Sequence, residues 1–322
     1  MNSLYPNKVW NYKNFNMVVE LDIAGEFIYD GVHVLNQMDS IDQTSLLFSF
    51  LYHVSVGLER LQKIILVLFE DLNLDNYKEF EENLISHSHI DLSGRICKIA
   101  KNNMSAREND FLQMLTSFYK SERYHRFNLD SQFSTERVLV ENFTTKYLIS
   151  EKIKRHFITN QLLMTNDVKE LFGRVIGSLS QKYYRLVRKG CAKNNTFSYE
   201  LRNGSKAEKV FYAHFQNNSL QQQKITESVA LKELLVFLRN TKCTDDLTTY
   251  IDAIEPLDFD PAFLNDYIFE ISKGIIPQSL IDEVEHLYEE SGYSIERLTQ
   301  INIIGDPTVL FGWYADSEDE ED

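Results

Sequence analysis

Residues 41–72 limit the possible folds of this chain more than any other segment. Their apolar side chains recur every three or four positions, the spacing that places side chains along one face of an α-helix. The set is Leu46, Leu47, Phe50, Leu51, Val54, Leu58, Leu61, Ile65 and Leu68. Gly and Pro interrupt helices, and the 322 residues contain only 12 Gly and 5 Pro. The sequence therefore predicts an all-α or mostly α fold, a helical bundle with a helical C-terminal extension and little β-structure.

Local patterns predict further elements. Residues 135–164 and 224–242 have the spacing of long amphipathic helices. The segment 18–35 alternates apolar and polar residues around Gly25 and Gly31, which is typical of a short hairpin or an irregular cap. These predictions keep the chain mainly helical, with a small β contribution near residue 25.

The clearest helical pattern of the chain lies at residues 167–190. Asn166 or Asp167 can cap its N-terminus, and Gly190 stands where a helix often ends in a left-handed residue. The following residues, 195–201, read NTFSYEL and are typical of a β-strand. We therefore expect the helix to end at Gly190 and a strand-like segment to follow it.

The net charge of −15 is unevenly distributed along the chain. Residues 143–242 carry 18 Lys and Arg against 7 Asp and Glu, whereas residues 243–322 carry 2 against 21. Such a basic segment is typical of contact with a polyanion, and such an acidic end is typical of an interaction tail. The alternative is that the two parts neutralise each other within one fold.

Pattern and charge together divide the chain into five parts. Residues 1–39 form an N-terminal cap, 40–165 a helical bundle, 166–242 a basic helical extension and 243–315 an acidic helical region. Residues 316–322 read DSEDEED. Because like charges repel, this last segment is predicted to be a disordered acidic tail.

The cysteines and the missing motifs exclude several classes of protein. Cys97, Cys191 and Cys243 are far apart and odd in number, so we predict reduced thiols and a cytoplasmic location. No run of about 18 apolar residues predicts a membrane span. No GxxxxGK[ST], GxGxxG, HExxH, GxSxG or paired CxxC motif occurs, and we predict no cofactor.

His87 and His89 are the candidate metal ligands. On an extended segment their imidazoles and the Asp91 carboxylate could hold an ion, whereas on a helix the two rings would point about 200° apart. The alternative is a helix N-terminus capped by Ser86 or Ser88. We favour the cap and predict no metal site, because catalytic zinc normally has three protein ligands.

Arg123, His125 and Arg126 form the densest cluster of chemically active residues, and they are the candidate catalytic residues. Arginine binds phosphate through a fork of donors, and histidine exchanges protons near neutral pH. Together the three side chains could contact or cleave RNA. The alternative is a helix C-terminus, where cations lie favourably beside unpaired carbonyl groups.

A second set of candidates lies in the basic segment. Successive cations there could follow a phosphate backbone, and the aromatic residues between them could stack on bases. The candidate RNA-binding residues are Lys182, Arg185, Arg188, Lys189 and Arg202. A solvated helix face produces a similar pattern, which is the alternative.

Three segments resemble the HEPN-like helical domains of bacteria and archaea. They read GLERLQKIILVLF at 57–69, SHSHIDLSGRI at 86–96 and FYKSERYHRFN at 118–128. Such domains occur with toxin–antitoxin, abortive-infection and CRISPR-associated systems. The resemblance covers about residues 40–215, and it implies a helical scaffold that dimerises and contacts RNA or partner proteins.

One motif of active HEPN ribonucleases is missing. Those enzymes carry an Arg, four to six residues and then a His, and no His of this chain has an Arg at that distance before it. The resemblance therefore implies a protein of prokaryotic defence or toxin–antitoxin type that acts through RNA and protein contacts without the standard ribonuclease motif. Two alternatives remain open, a metal-independent ribonuclease with a non-standard Arg/His site and a non-catalytic protein–protein adaptor.

Overall fold

The computed structural model divides the chain into two compact units, Met1–Ile225 and Thr226–Asp322. The residues that it describes are 8–101, 103–129, 135–203, 205–212, 220–222, 224–225, 227, 246–272, 274, 277–292, 295–306 and 309. The predicted acidic tail and most of the predicted helix 224–242 lie outside these residues.

Every element described in the first unit is a helix, and the described residues of the whole chain contain no strand. The α-helices of this unit are α1 (Lys8–Asn11), α2 (Met17–Gln37), α3 (Thr44–Phe69), α4 (Tyr77–Leu84), α5 (His89–Ala100), α6 (Ala106–Lys120), α7 (Thr135–Tyr147), α8 (Asn166–Asn194) and α9 (Lys206–Tyr212). A π-helix spans Tyr12–Asn16, and 3₁₀-helices span Glu122–Phe127 and Ser150–Lys152. The predicted all-α fold is confirmed.

Helix α3 forms the centre of the first unit. The predicted apolar face is buried at Leu47, Phe50, Leu58 and Leu61, each fully shielded from solvent. Helices α2, α5 and α8 pack against α3, and their apolar faces join its own in one core. The periodicity of residues 41–72 is thus explained by burial of α3 between several partner helices.

The prediction of a hairpin or cap at residues 18–35 is wrong, because this segment is the interior of α2. Its two glycines permit close helix contacts rather than turns. A Cβ atom on Gly25 would clash with Cα of Ala207, and one on Gly31 would lie 2.6 Å from Cγ2 of Val54. Long-range packing, which local alternation does not reveal, therefore places glycine here.

The predicted long helix at 135–164 is correct only as far as Tyr147, where α7 ends. The chain then pairs with the loop that precedes α3. The amide of Ile41 donates to the carbonyl of Leu162 at 3.1 Å, and the amide of Met164 donates to the carbonyl of Asp39 at 2.9 Å. These bonds replace the helical ones and satisfy the backbone in an extended conformation.

Helix α8 continues one turn beyond its predicted end. Asn195, with φ of 50°, is the left-handed residue that follows the helix, and Gly190 lies inside it. At Gly190 a Cβ atom would lie 2.7 Å from Cβ of Leu68, so this glycine allows α8 to approach the end of α3.

The predicted strand at 195–201 is also wrong. The segment forms a turn, in which the amide of Glu200 donates to the carbonyl of Phe197 at 2.9 Å. The amide of Phe197 donates to Oδ1 of Asn14 at 2.7 Å. Its polar groups therefore bind the π-helix instead of a partner strand.

The second unit consists of short helices in its described part. They are α10 (Asp246–Asp252), α11 (Leu264–Ser272), α12 (Gln278–Ser291) and α13 (Ile295–Ile303). Tyr267 is buried, and its hydroxyl donates to Oε2 of Glu283 at 2.5 Å. Among the described helices of both units, none combines the length and the apolar run needed to cross a membrane.

Candidate nucleic-acid interface and a polar cleft

A basic groove opens at the C-terminal end of α8. Arg185, Arg188 and Lys189 line it from the helix, and Phe197 and Tyr199 line it from the turn that follows. The groove has a volume of about 580 Å³. Phe197 is 55% exposed, and the Arg188 guanidinium lies 5.8 Å from the centre of the Tyr199 ring. Cations and aromatic faces therefore share one open surface.

Side-chain hydrogen bonds fix the turn that carries the two aromatic rings. The Tyr184 hydroxyl donates to the carbonyl of Tyr199 at 2.8 Å, and the Ser198 hydroxyl donates to the carbonyl of Lys13 at 2.7 Å. Cys191 lies beneath the turn, where burial raises the pKa of its thiol. The floor of the groove is thus packed, and its rim is charged.

The three cations of the basic groove differ from the other basic residues of α8 in their partners. Arg174 pairs with Glu170, and Lys193 pairs with Asp71. No carboxylate of the described residues lies within ion-pair distance of Arg185, Arg188 or Lys189. Within the described part of the chain, no carboxylate therefore competes with a ligand for the charges of the groove.

The structure brings together three of the five predicted RNA-binding residues and separates the other two. The Nζ atom of Lys182 lies 2.5 Å from Oε2 of Glu108, a carboxylate that is only 3% exposed. Arg202 is exposed and does not line the groove. Lys182 is therefore occupied by an interaction inside the fold.

A second opening, the polar cleft, lies between α2, α3 and α6. It has a volume of about 510 Å³, and its lining includes Glu20, Glu59, Arg60, Lys63, His87, Tyr12, Asn16, Tyr52 and Tyr119. The π-helix contributes Tyr12 and Asn16 to this cleft, while Asn14 of the same π-helix binds the turn of the basic groove. A π-helical turn is rare and frequently marks a functional site.

Glu59 organises the charges of the polar cleft. Glu59 is only 8% exposed, and its carboxylate accepts a hydrogen bond from Nζ of Lys63 at 2.7 Å. The same carboxylate lies 3.1 Å from Nδ1 of His87. A carboxylate acceptor keeps the proton of a neutral imidazole on Nδ1 and leaves the Nε2 lone pair free. His87 can therefore accept a proton or a hydrogen bond from a molecule in the cleft.

Aromatic rings form one wall of the polar cleft. The Tyr52 and Tyr119 rings are stacked with centres 6.3 Å apart, and the His87 ring centre lies 5.1 Å from that of Tyr119. Burial, followed by the nearby Glu59 charge, raises the pKa of Tyr119. The phenol therefore stays neutral, and the Arg123 guanidinium lies over one of its faces.

The predicted catalytic cluster is divided among different partners in the described contacts. The Arg123 guanidinium lies over the ring of Tyr119 at 4.0 Å, at the edge of the polar cleft. Arg126 forms an ion pair with the buried carboxylate of Glu136. His125 lies in the 3₁₀-helix, and its side chain is outside the described part of the structure. The catalytic role of these residues stays a prediction.

The two candidate metal ligands have different surroundings. His87 faces the polar cleft, whereas His89 is fully buried with Nδ1 3.0 Å from Oε1 of Gln62. The Ser88 hydroxyl accepts from the amide of Asp91 at 3.3 Å, which confirms the interpretation of an N-terminal cap. Among the described residues, no three His, Cys, Asp or Glu side chains converge where they could hold a metal ion.

Sequence reasoning missed Glu59 as the central residue of the polar cleft. Glu59 and Lys63 are four positions apart, which the sequence alone suggests as an ordinary pair on a solvated helix face. The stronger signal is that Glu59 lies on a helix in which most residues are apolar. A carboxylate at such a position is buried and needs partners from other helices.

Comparison of the chain with family models, curated proteins and solved structures finds no match. The HEPN-like relationship therefore stays a prediction from the three sequence segments.

Proposed function

We propose that this protein binds single-stranded RNA through the basic groove. The observation that carries the proposal is the joint position of three cations, which have no ion-pair partner among the described residues, with the exposed Phe197 and the ring of Tyr199. Cations bind the phosphate backbone, and aromatic rings stack on bases that are not held in a duplex. The setting is the one that the resemblance implies, a HEPN-like protein of a prokaryotic defence or toxin–antitoxin system acting in the cytoplasm.

An acidic protein surface is the competing ligand for a basic groove. Such a surface would form ion pairs with Arg185, Arg188 and Lys189, but contact with the half-exposed phenylalanine beside them would contribute little to its binding. Base stacking on an aromatic ring contributes about 1–3 kcal/mol per base. The exposed Phe197 ring therefore favours RNA over an acidic protein.

Salt titration of RNA binding tests the role of the cations. A fluorescent single-stranded RNA is bound by the full chain at several salt concentrations, and the slope of log affinity against log salt is measured. The triple variant Arg185→Gln, Arg188→Gln, Lys189→Gln should reduce this slope by about 2, because each phosphate contact to a single strand contributes about 0.7. The variant Phe197→Ala should weaken binding roughly fivefold to a hundredfold and leave the slope unchanged.

A variant of equal charge change serves as the control. Lys146, Lys152 and Arg174 form ion pairs elsewhere on the unit, so replacing all three by Gln changes the net charge equally. This control should keep the slope of the wild type. Equal loss of slope in both triple variants, or an affinity that does not depend on salt, contradicts the proposal. Unchanged RNA binding by Phe197→Ala favours the acidic protein ligand.

A further inference from the structure

The ionised groups of the polar cleft already have partners within its walls. Arg60 forms an ion pair with Glu20, and Glu59 forms one with Lys63. The Glu59 carboxylate also accepts a hydrogen bond from Nδ1 of His87. The negative charges of the carboxylates equal the positive charges of the basic side chains in number, so the lining of the cleft has no net charge. A charged ligand would have to break one of these pairs, and separating a partly buried pair is unfavourable. The cleft therefore suits an uncharged ligand.

Several neutral groups of the polar cleft have no partner in the described structure. The hydroxyls of Tyr12 and Tyr52 and the side chain of Asn16 form no hydrogen bond with a described residue. The Nε atom of Arg60 is buried and also has no partner. With Nε2 of His87, the cleft thus offers donors and acceptors at several points of its lining. Tyr12 and Tyr52 are half-buried and Asn16 is exposed, so a ligand in the cleft can reach these groups.

The shape of the polar cleft suits a flat ring. The stacked Tyr52 and Tyr119 rings are inclined by only 16°, and the His87 ring adjoins them. The volume of about 510 Å³ falls within the range of small-molecule sites. A ligand that uses both features needs an aromatic face for stacking and hydrogen-bonding groups at its edge.

We propose that the polar cleft is a binding site for an uncharged nucleobase, presented by a nucleoside. The base stacks on the tyrosine wall, and its edge forms hydrogen bonds with Tyr52 and with Nε2 of His87. This goes beyond the proposed RNA contact, because a nucleoside carries no phosphate for the basic groove. The π-helix, which touches both sites, places the nucleoside site next to the groove.

Direct titration of the full chain with nucleosides tests the proposal. Adenosine, guanosine, cytidine and uridine are added in turn, and binding is measured by calorimetry and by the chemical shifts of the tyrosine rings. We expect at least one of the four to bind saturably at or below millimolar concentration. Its 5′-monophosphate should bind no more tightly, because Arg60 and Lys63, which line the cleft, are already paired with Glu20 and Glu59.

Two cleft variants and one control locate the bound nucleoside. Tyr52→Phe removes only a hydroxyl and should weaken binding about threefold to tenfold, the usual effect of one hydrogen bond. Tyr119→Leu removes a stacking face and should weaken binding roughly fivefold or more, with folding verified by circular dichroism. Tyr147→Phe removes a hydroxyl that binds Asp110 outside the cleft, so it should leave nucleoside affinity unchanged.

The same titration distinguishes this site from the basic groove. The triple variant at Arg185, Arg188 and Lys189 should bind the nucleoside normally, and Tyr52→Phe should keep the salt dependence of RNA binding. The proposal is overturned if none of the four nucleosides binds, or if Tyr52→Phe and Tyr119→Leu bind as well as the wild type. A monophosphate that binds more than tenfold tighter than its nucleoside overturns it as well, because the site would then recognise phosphate.

Discussion

The Nδ1 atom of His87 lies 3.1 Å from Oε2 of Glu59, although 28 residues separate them along the chain. This contact joins the segment before α5 to the middle of α3. It also sets the orientation of the imidazole towards the polar cleft, because the carboxylate is a fixed acceptor on a buried helix. Glu59 is therefore both a structural link and the residue that positions His87.

Replacing Glu59 by Gln should destabilise the first unit by about 1–3 kcal/mol, the usual cost of removing a partner from a largely buried charged group. Lys63, whose side chain is 24% exposed, loses its carboxylate in this variant. Urea unfolding followed by circular dichroism measures the change. Arg174→Gln breaks a pair at the same spacing in which the Arg174 side chain is 68% exposed, and it should cost about 0.5 kcal/mol or less. Equal losses of unfolding free energy in the two variants would show that the Glu59 contacts contribute no more than an exposed ion pair.

Lys182 should stabilise the fold and should not contribute to RNA binding. Burial opposes ionisation of Glu108, but hydrogen bonds from Lys182, Ser178 and Ser105 outweigh it and lower the pKa of this carboxyl from its ordinary value. Lys182→Gln should therefore cost about 1–3 kcal/mol at neutral pH. The slope of RNA affinity against salt should stay that of the wild type.

The pH dependence of the Lys182→Gln variant follows from the same hydrogen bonds. A lowered pKa in the folded protein stabilises it above the pKa of the unfolded chain, and this stability disappears as the pH falls through the folded value. Without Lys182 the pKa of Glu108 rises, so acid unfolding should begin at a higher pH than in the wild type. An unchanged acid midpoint in the variant contradicts the assignment of Lys182 to Glu108.

The helices that the sequence predicts best are the ones whose apolar spacing is long and regular. Helices α3 and α8 have such a spacing, because each packs against several others and needs a continuous apolar face. The local pattern fails to predict the helix at 18–35, because Gly25 and Gly31 resemble turn residues. Their role, close contact with α9 and α3, depends on residues far away in the chain.

The candidate sites were predictable to the extent that their residues are neighbours in the sequence. Arg185, Arg188 and Lys189 lie within two turns of one helix, so their cluster in the basic groove follows from helical geometry. Lys182 belongs to the same run, but Glu108 lies 74 residues away and its contact with Lys182 is tertiary. The polar cleft could not be predicted in the same way, since its lining comes from several elements.

His89 should make the protein less stable as the pH falls from about 6.5 to about 4. Burial lowers the pKa of its imidazole to about 4, and the ring is fully enclosed. Between the two values the unfolded chain binds a proton that the folded protein does not, so stability decreases with falling pH. The loss is at most about 3 kcal/mol, because each pKa unit corresponds to about 1.4 kcal/mol.

Two measurements test the prediction for His89. The stability difference between the wild type and His89→Gln should shrink as the pH falls through this window, since the variant lacks the titrating ring. The carbon resonances of the His89 ring should show a neutral imidazole at pH 5. A ring that titrates near pH 6.5, or a stability difference that does not change with pH, contradicts the prediction.

Two of the glycines in α8, Gly190 and Gly177, should respond in opposite directions to substitution by Ala. At Gly190 the new Cβ would lie 2.7 Å from Cβ of Leu68 and 3.2 Å from Cε2 of Phe69, so α8 and the end of α3 would have to separate. Overpacking of this kind costs about 1–3 kcal/mol.

At Gly177 the new Cβ would lie 3.7 Å from Cγ of Leu220, which is ordinary contact. Gly177→Ala should therefore stabilise the helix by about 0.5–1 kcal/mol, because Ala has the higher helix propensity. Urea unfolding of both variants measures the two changes, and a Gly190→Ala protein as stable as Gly177→Ala would show that α8 does not need this close contact with α3.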